Sequence, residues 1–225
     1  MQPSMQPYQR EFVDLLLRFE VLRFGSFTLK SGRTSPYFVN AGQFRTGAAI
    51  AALGRAFAQR MVEADLVART DVVFGPSYKG VPLAVTTAAA LADSGRDVGY
   101  AFDRKEAKDH GEGGVFVGSA PTDGTRVVIV DDVITSGRSI REAAALLAAA
   151  GKVELVGVVV AVDRQERGQG DATTLDELTD ELSVPVVPVL SITEVVQDLT
   201  ARDALDPAQR DAVLAHVAQY GARTG

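Results

Sequence analysis

The sequence contains no cysteine, and this absence sets the first limits on what the chain can be. Without thiols it forms no disulfide bond and no thiolate-ligated metal centre. We expect a cytoplasmic protein, although many exported proteins also lack cysteine. Long apolar runs are missing as well, because the stretch 155–162 is too short to span a bilayer, and we expect no signal peptide. A membrane partner is therefore not expected.

An excess of positive charge is also absent. The chain has 23 Lys and Arg against 29 Asp and Glu, which gives a formal net charge of −6 and a pI near 5.0. Surfaces that bind nucleic acid are basic, so we expect no nucleic-acid partner. An anionic substrate would have to be met by local cations. With 225 residues, 46% of them hydrophobic, the chain can bury a full core as one domain.

Short β-branched strands alternate with helical patterns along the chain, which is typical of a parallel sheet with helices on both faces. The predicted helices cover 8–20, 48–64, 82–93, 138–150, 192–199 and 207–220, and the predicted strands cover 72–74, 98–102, 126–130, 155–162 and 184–189. Two extended pieces within 24–40 surround a turn at 31–33. Segment 103–119 is polar and bears glycine, so we expect a long loop that covers an active site.

One segment joins four β-branched residues to an acidic turn, Asp131 and Asp132, and then to a loop of small residues before a helix. The loop amides and the hydroxyls of Thr135, Ser136 and Ser139 can wrap a phosphate at the positive end of the helix. The two carboxylates suit a sugar's vicinal hydroxyls, or a hard cation through water. This pattern predicts a ribose 5-phosphate ligand. The alternative is an ordinary strand-to-helix turn in which Asp caps the helix, and a second Asp fits that reading poorly.

This segment resembles the phosphoribosyl-pyrophosphate (PRPP) signature of the type I phosphoribosyltransferases, position for position. The resemblance implies a single domain over 1–225, with a core at about 65–170. It implies a parallel sheet flanked by helices, and a small hood from about 1–45 and the C-terminal part. It also implies that Asp131 and Asp132 grip the ribose hydroxyls. The residues implied to hold the 5′-phosphate and its surroundings are Val133, Ile134, Thr135, Ser136, Gly137, Arg138 and Ser139.

The segment 104–114 carries the densest group of cations, namely Arg104, Lys105 and Lys108, together with His110 and several glycines. A solvated, charge-balanced loop is one interpretation, because neighbouring acidic residues cancel the cations. The spacing of Lys105, Lys108 and His110 favours an anion-binding loop instead, since these residues can converge on one anion if the loop folds over it. His110 has an expected pKa near neutrality and could transfer a proton.

The same segment resembles the catalytic loop of the orotate phosphoribosyltransferase family. Further segments at 27–33, 35–38, 75–80 and 163–168 match that family in order and spacing, over roughly residues 8–170. The resemblance implies that Lys30, Tyr78 and Lys79 contact PRPP and that Phe38, Val39, Thr135 and Arg164 lie on the orotate side. Arg104 is implied to bind substrate as well. Val39 stands where many relatives have a second aromatic residue. This departure would weaken pyrimidine binding only if the aromatic ring touched the base.

The resemblance implies that the chain joins orotate to PRPP, giving orotidine 5′-monophosphate and pyrophosphate. Lys105, Lys108 and His110 would close over the pyrophosphate, with Lys108 as the main donor. Mg²⁺ would be bound mainly by the oxygens of PRPP, because the sequence contains no pattern of residues that would supply all its ligands from the protein. A homodimer that shares the 104–114 loop across subunits is implied too. His216, in the last predicted helix, is expected to be a surface or packing residue.

Two other functions stay open from the sequence. A phosphoribosyltransferase for a different base would carry the same PRPP signature, although the 104–114 segment and Phe38 favour orotate. A non-catalytic regulator that senses PRPP would keep the sugar-phosphate pocket. Such a regulator should carry a basic segment for nucleic acid, and the sequence presents none.

Overall fold

The computed structural model describes residues 5–29, 32–108 and 114–223, and for residues 105–108 it describes the backbone alone. The helices are α1 (Pro7–Arg18), α2 (Gly47–Glu63), α3 (Gly80–Asp93), α4 (Arg138–Ala149), α5 (Thr174–Leu182), α6 (Ile192–Ala201) and α7 (Pro207–Tyr220). The strands are β1 (Leu22–Thr28), β2 (Thr34–Val39), β3 (Val72–Phe74), β4 (Gly99–Lys108), β5 (Gly114–Gly118), β6 (Arg126–Ile134), β7 (Glu154–Asp163) and β8 (Val186–Ser191).

Six strands form the central sheet in the order β5-β4-β3-β6-β7-β8. All neighbouring pairs are parallel except β4 and β5, which are antiparallel. The chain builds outward from β3 through β4 and β5, then returns to place β6 on the other side of β3. The strand order therefore reverses between β3 and β6, and open α/β sheets bind ligands outside the carboxyl ends of the strands at such a point. The predicted parallel sheet with flanking helices is confirmed.

Hydrophobic side chains are buried on both faces of this sheet, and β6 illustrates how. Val128 and Val130 pack into a core shared with α1, α2, α3 and α6, whereas Val127 and Ile129 pack into a second core shared with α4 and α5. Because both faces of β6 are buried, its side chains are apolar at every position and do not alternate with polar ones. This explains its continuous β-branched run. Within the described residues, no helix combines the length and the apolar composition that crossing a membrane requires.

The N-terminal part of the predicted hood contains a two-stranded hairpin, β1 and β2, whose inward-facing side chains Leu22 and Tyr37 pack into the main core. Tyr37 of β2 is fully buried and meets the ring of His216 on α7 edge-on, with ring centroids 5.8 Å apart. Phe38 lies on the opposite face of the strand, where its ring stacks on Phe27 at 5.6 Å. An isolated hairpin is marginally stable, so the contact with α7 is what anchors it. Val39 is half-buried and packs against the main core.

Two predicted irregular segments are wrong, and strand pairing explains both. The carboxylates of Asp131 and Asp132 do not sit in a turn, because β6 continues through them to Ile134 and keeps its pairing with β7. Segment 103–119 is not one long loop, since β4 runs to Lys108 and returns as β5, with Lys108 paired to Gly114. In each case backbone hydrogen bonds to a neighbouring strand outweigh the polarity of the side chains.

A further helix, α5, was not predicted from the acidic stretch 170–182. Its start carries a recognisable signal, because the Thr173 side chain accepts a hydrogen bond from the Asp176 amide. Its inward residue Leu178 is fully buried against the loop that follows β6. The helix therefore supports the candidate site from behind. The sheet also extends beyond residue 170, since β8 joins its edge.

Candidate functional site

The candidate site lies at the carboxyl ends of β3, β6 and β7. Because these strands are parallel and adjacent, the segments that follow them meet at one edge of the sheet. Lys79, which precedes α3, reaches across to β6, and its ammonium donates to Asp132 Oδ2 at 2.8 Å. The Lys79 side chain is still 65% exposed, so the ion pair faces solvent on one side. The sheet thus places the lysine and the carboxylate on either side of its topological reversal.

Both predicted carboxylates are almost enclosed. Asp131 accepts the amide of Asp132 at 2.9 Å and the hydroxyl of Ser139 at 2.5 Å, and Asp132 accepts the amide of Val133 at 2.8 Å. Burial raises the pKa of Asp131, and the neighbouring carboxylate adds to this, although the bond from Ser139 opposes it. Carboxylates held in this way present fixed acceptors, which suits the two hydroxyls of a sugar diol.

The loop after β6 forms a small pocket of about 290 Å³ around Thr135, Ser136 and Gly137. Two loop carbonyls accept hydrogen bonds from side chains of neighbouring helices. Thr174 of α5 donates to the Thr135 carbonyl at 2.9 Å, and Arg141 of α4 donates to the Ser136 carbonyl at 2.5 Å. In the described part of the chain, the amides of Ser136 and Gly137 donate to no protein acceptor. Unpaired amides at a helix N-terminus form an anion-binding cradle.

Gly137 is required where it stands, just before α4. Its φ of +69° is in the left-handed region, which glycine adopts without strain. A Cβ at this position would also lie 2.9 Å from Leu178 Cδ1 and 2.9 Å from Arg141 Nη1. The tight loop therefore depends on glycine both for its backbone shape and for its packing against α5.

The loop after β3 is equally tight. A Cβ on Gly75 would lie 1.9 Å from the Gly80 carbonyl oxygen, so only glycine allows the loop to close on itself. The Ser77–Tyr78 peptide bond is cis. Asp103 of β4 fixes this loop, because its carboxylate accepts the Ser77 amide at 2.6 Å and its carbonyl accepts the Ser77 hydroxyl. Asp103 was not predicted as a site residue, although its position at the end of an apolar strand segment was a usable signal.

The β4–β5 hairpin projects from the same edge. β4 is paired with β3 only as far as Ala101, opposite Phe74, and then continues to Lys108. Seven further residues at about 3.3 Å each carry the backbone roughly 20 Å beyond that point. Arg104 is half-buried on this extension. The hairpin is therefore long enough to reach over a ligand bound at the strand ends.

Arg164 follows β7 and is buried. Its Nε and Nη2 atoms donate to Glu166 Oε1 at 3.0 and 2.6 Å, and its guanidinium lies 4.7 Å from the centre of the Tyr37 ring. His216 also contacts Glu166 Oε1, at 3.2 Å. The prediction that His216 is a packing residue is confirmed by its burial against Tyr37 and Tyr220.

The remaining predicted residues are placed as follows. Ile134 is buried and packs in the second core, and it also lines the pocket of the loop after β6. Arg138 points to solvent and pairs with Glu142 at 2.7 Å. Tyr78 is 71% exposed on the loop after β3. Lys30 and His110, and the side chains of Lys105 and Lys108, lie outside the described residues.

A larger groove of about 830 Å³ lies between α1, α2 and α3. None of the residues predicted for the site lines it, and it is remote from the carboxyl ends of the strands. The predicted site residues are therefore at the sheet edge and not in this groove.

Asp163→Asn is expected to stabilise the fold at pH 8 and not at pH 4. The pKa of Asp163 is raised to about 6, mainly by burial and also by the carboxylates of Asp176, Glu194 and Glu166, against the opposing bond from the Gln165 amide. Between pH 4 and pH 6 the folded chain thus holds a proton that the unfolded chain releases, so stability falls as the pH rises through this window. Asn avoids this cost while its oxygen can still accept the Gln165 amide.

The expected gain is about 2–3 kcal/mol in the free energy of unfolding at pH 8. Urea unfolding of both proteins at pH 4 and pH 8 measures it, with Asp180→Asn on the exposed face of α5 as control. A difference of the same size at both pH values would contradict the assignment.

Residues 40–189 match the family described as "Phosphoribosyl transferase domain". The orotate phosphoribosyltransferase of Saccharophagus degradans is 50% identical over 218 residues, which cover 96% of this chain and 99% of that protein. The orotate phosphoribosyltransferase of Pseudomonas aeruginosa is likewise 50% identical over 218 residues, covering 96% of this chain and all of that protein.

Two crystal structures extend the similarity to the fold. The orotate phosphoribosyltransferase of Francisella tularensis superposes with a TM-score of 0.82 at 36% identity, covering 94% of this chain and 100% of that one. The Mycobacterium tuberculosis orotate phosphoribosyltransferase in complex with PRPP gives a TM-score of 0.63 at 27% identity, over 84% of this chain and 99% of that one.

Proposed function

The chain belongs to the orotate phosphoribosyltransferase family, with the type I phosphoribosyltransferase fold, and from this membership we propose that it transfers the phosphoribosyl group of PRPP to orotate. The products are orotidine 5′-monophosphate and pyrophosphate, a step of pyrimidine nucleotide synthesis. One observation carries the proposal: two enclosed carboxylates at the end of β6 stand directly beside a pocket with unpaired amides. That pairing matches a ligand with a diol next to a phosphate.

PRPP binding is assigned to the segment from Asp131 to Ser139. The carboxylates of Asp131 and Asp132 accept the ribose hydroxyls, and the loop amides with the hydroxyls of Thr135, Ser136 and Ser139 hold the 5′-phosphate. Lys79 and Tyr78 face the pyrophosphate, with Lys30 as a further contact. The existing bond from Lys79 to Asp132 supports this, because it already holds a cation next to the sugar site.

Orotate binding is assigned to the hood and to the end of β7. A flat anionic pyrimidine suits a guanidinium and an aromatic face, and Arg164, Phe38 and Thr135 are the candidates. The Val39 side chain packs against the core, and so does the neighbouring inward residue Tyr37. An aromatic ring at position 39 would face the same way. Val39 can therefore touch the base through its backbone, and the missing ring need not weaken binding.

Catalysis is assigned to stabilisation of the departing pyrophosphate. Substitution at the anomeric carbon passes through an oxocarbenium-like state, so the bond to the leaving group is largely broken before the base attacks. The protein must hold the ring nitrogen near the sugar and neutralise the charge that develops on pyrophosphate. Lys105 and Lys108 supply charge, Arg104 assists, and His110 can deliver a proton. The reach of the β4–β5 hairpin over the site is consistent with this role.

Mg²⁺ is proposed as the cofactor, entering on the oxygens of PRPP. The donor set fits this arrangement, because two carboxylates at the site are suitable oxygen ligands for a hard cation, directly or through water. Among the described residues no group of three or more His, Cys, Asp or Glu could hold a metal by itself. Asp131 and Asp132 would hold the hydrated ion beside the diol. When bound, the ion would neutralise charge on the diphosphate.

A homodimer that shares the 104–114 segment between subunits is a further proposal, as is a location in the cytoplasm. The homodimer comes from the resemblance alone, and the cytoplasmic location comes from the absence of cysteine. The acidic composition, with a net charge of −6, also supports a protein without a nucleic-acid partner.

The test is pyrophosphate release from PRPP and Mg²⁺ in the presence of orotate, followed by the loss of orotate's ultraviolet absorbance. We expect turnover with orotate, and far less with uracil, adenine, guanine or hypoxanthine. A preference for another base would transfer the proposal to a different phosphoribosyltransferase. Tight PRPP binding without turnover on any base would point to a regulator.

A further inference from the structure

We propose that Glu166 is a positioning residue that fixes the guanidinium of Arg164 for the pyrimidine base. The inference rests on the proposed function, because it requires Arg164 to contact orotate. Glu166 itself has no part in the substrate contacts or the catalytic step proposed above. The observations that carry the inference are the contacts of one carboxylate, whose side chain is 12% exposed, with three elements of the fold.

Glu166 holds one edge of the arginine. Its Oε1 atom accepts both Nε and Nη2 of Arg164, at 3.0 and 2.6 Å. Among the described residues, Nη1 of Arg164 has no hydrogen-bond partner. The face of the guanidinium is covered by the Tyr37 ring at 4.7 Å. Glu166 thus binds the Nε and Nη2 edge of the Arg164 guanidinium, and Tyr37 packs on one of its faces. The Nη1 edge can donate to a carbonyl or carboxylate oxygen of a ligand.

Glu166 is itself held from two other directions. His216 of α7 contacts Oε1 at 3.2 Å, and Arg33 of the hood donates to Oε2 at 2.9 Å. The Arg33 guanidinium in turn lies 4.6 Å from the centre of the Tyr220 ring. The carboxylate therefore links the end of β7, the turn before β2 and the last helix. A ligand that binds between hood and sheet needs these three parts in register.

The carboxylate stays ionised under working conditions. Burial alone would raise the pKa of Glu166, but the attraction and hydrogen bonds of Arg164, the bond with His216 and the charge of Arg33 outweigh it, so the pKa is lowered. A carboxylate binds a guanidinium more strongly than a neutral acceptor does, because two opposite charges then attract each other. An unheld arginine would have to be ordered each time the base binds, and that ordering lowers affinity.

The test is a double-mutant cycle that joins Glu166→Gln and Arg164→Gln. Steady-state kinetics give the KM of orotate and of PRPP separately, and calorimetry gives the affinity for orotidine 5′-monophosphate. Glu166→Gln should raise the orotate KM about tenfold, from loss of the attraction between carboxylate and guanidinium, and change the PRPP KM by less than about twofold. In the Arg164→Gln background, Glu166→Gln should have no further effect on product affinity, because it acts through the arginine.

Arg167→Ala is the matched control. Arg167 lies next to Glu166 and ties the end of α7 through the carbonyls of Gln219 and Gly221, at 3.1 and 3.0 Å, without touching the Arg164 pair. It should lower thermal stability and leave the orotate KM unchanged. If Glu166→Gln does not fold, His216→Gln keeps the pair and removes one support, and should raise the orotate KM alone by about two- to threefold.

The outcomes separate the two proposals. No orotate-dependent pyrophosphate release by the unaltered protein would overturn the proposed function. Normal turnover combined with an unchanged orotate KM in Glu166→Gln would overturn the positioning role alone. The role would also fail if both KM values rose equally, or if the two substitutions were additive in the cycle, since a residue that only supports the fold would give that result.

Discussion

Replacing both Asp131 and Asp132 by Asn is expected to weaken PRPP binding by about a hundredfold or more. Each carboxylate is placed to accept a ribose hydroxyl, and a hydrogen bond to a charged group contributes about 1.5–3 kcal/mol. Asn keeps the size and one acceptor oxygen, so the bonds from the Asp132 and Val133 amides can persist. The substitution therefore removes negative charge and acceptor strength with little change of shape.

The fold should tolerate the change at position 131. Burial already raises the pKa of Asp131, which means that the folded protein bears a cost for its charge that Asn does not. The change at position 132 is different, because it leaves Lys79 without its ion-pair partner. Lys79 is largely exposed, so water can solvate the ammonium and the loss of stability should be small.

Calorimetric titration with PRPP and Mg²⁺ measures the effect. The control is Asp93→Asn combined with Asp180→Asn, two exposed acids on α3 and α5 whose loss changes the net charge equally. The control separates the specific contact of Asp131 and Asp132 with the ribose hydroxyls from the general effect of an acidic chain on an anionic ligand. A double variant with PRPP affinity within threefold of the unaltered protein would remove the carboxylates from the site.

Local pattern was sufficient for the elements whose stability is local. The run from Val127 to Val130 predicted a strand because both faces of β6 are buried, and hydrophobic spacing predicted α1, α2 and α7 to within a few residues. The same local information was insufficient where β6 continues through Asp131 and Asp132. That extension is set by pairing with β7, where Asp131 lies opposite Val160. A short window of sequence does not reveal the neighbouring strand.

Strand pairing also explains why the polar β4–β5 hairpin was not predicted from the sequence. Asp103 lies opposite Phe116, and the backbone pairing makes a strand from residues whose polarity and glycines indicated a loop. Functionally the difference is large, since a paired ribbon is stiffer than a loop of equal length. That this segment covers an active site stays a prediction, and the structure shows that its two arms are a β-ribbon continuous with the sheet.

The site residues that the sequence identified are those that lie close together in the chain. Asp131, Asp132 and the loop to Ser139 are contiguous in the chain, so one sequence motif contains them all. Glu166 was not recognised, because its partners Arg33 and His216 are 133 and 50 positions away. Contacts over such separations are decided by how the hood and α7 pack. Sequence patterns thus indicated the groups predicted to touch a ligand and missed the groups that hold them.

Lys108→Ala is expected to lower kcat by about 10²- to 10³-fold, the loss typical of one preorganised donor to a developing negative charge. The backbone of Lys108 forms the last strand pair, with Gly114, on the hairpin that extends from the candidate site. A cation at this place would act when charge accumulates on pyrophosphate, so the KM of PRPP should change far less than kcat. Lys108→Arg keeps the charge and should recover part of the rate.

Lys152→Ala is the control for removing a lysine from this acidic chain. Lys152 precedes β7 and is exposed at the amino end of the parallel strands, the edge opposite the candidate site. It should leave kcat and both KM values unchanged. Single-turnover measurements distinguish a chemical defect from slow product release, since the loss should persist when release is excluded. Unchanged turnover in Lys108→Ala would take this residue out of the mechanism, and the task of neutralising pyrophosphate would fall to Lys105 and to Lys79, which already stands beside Asp132.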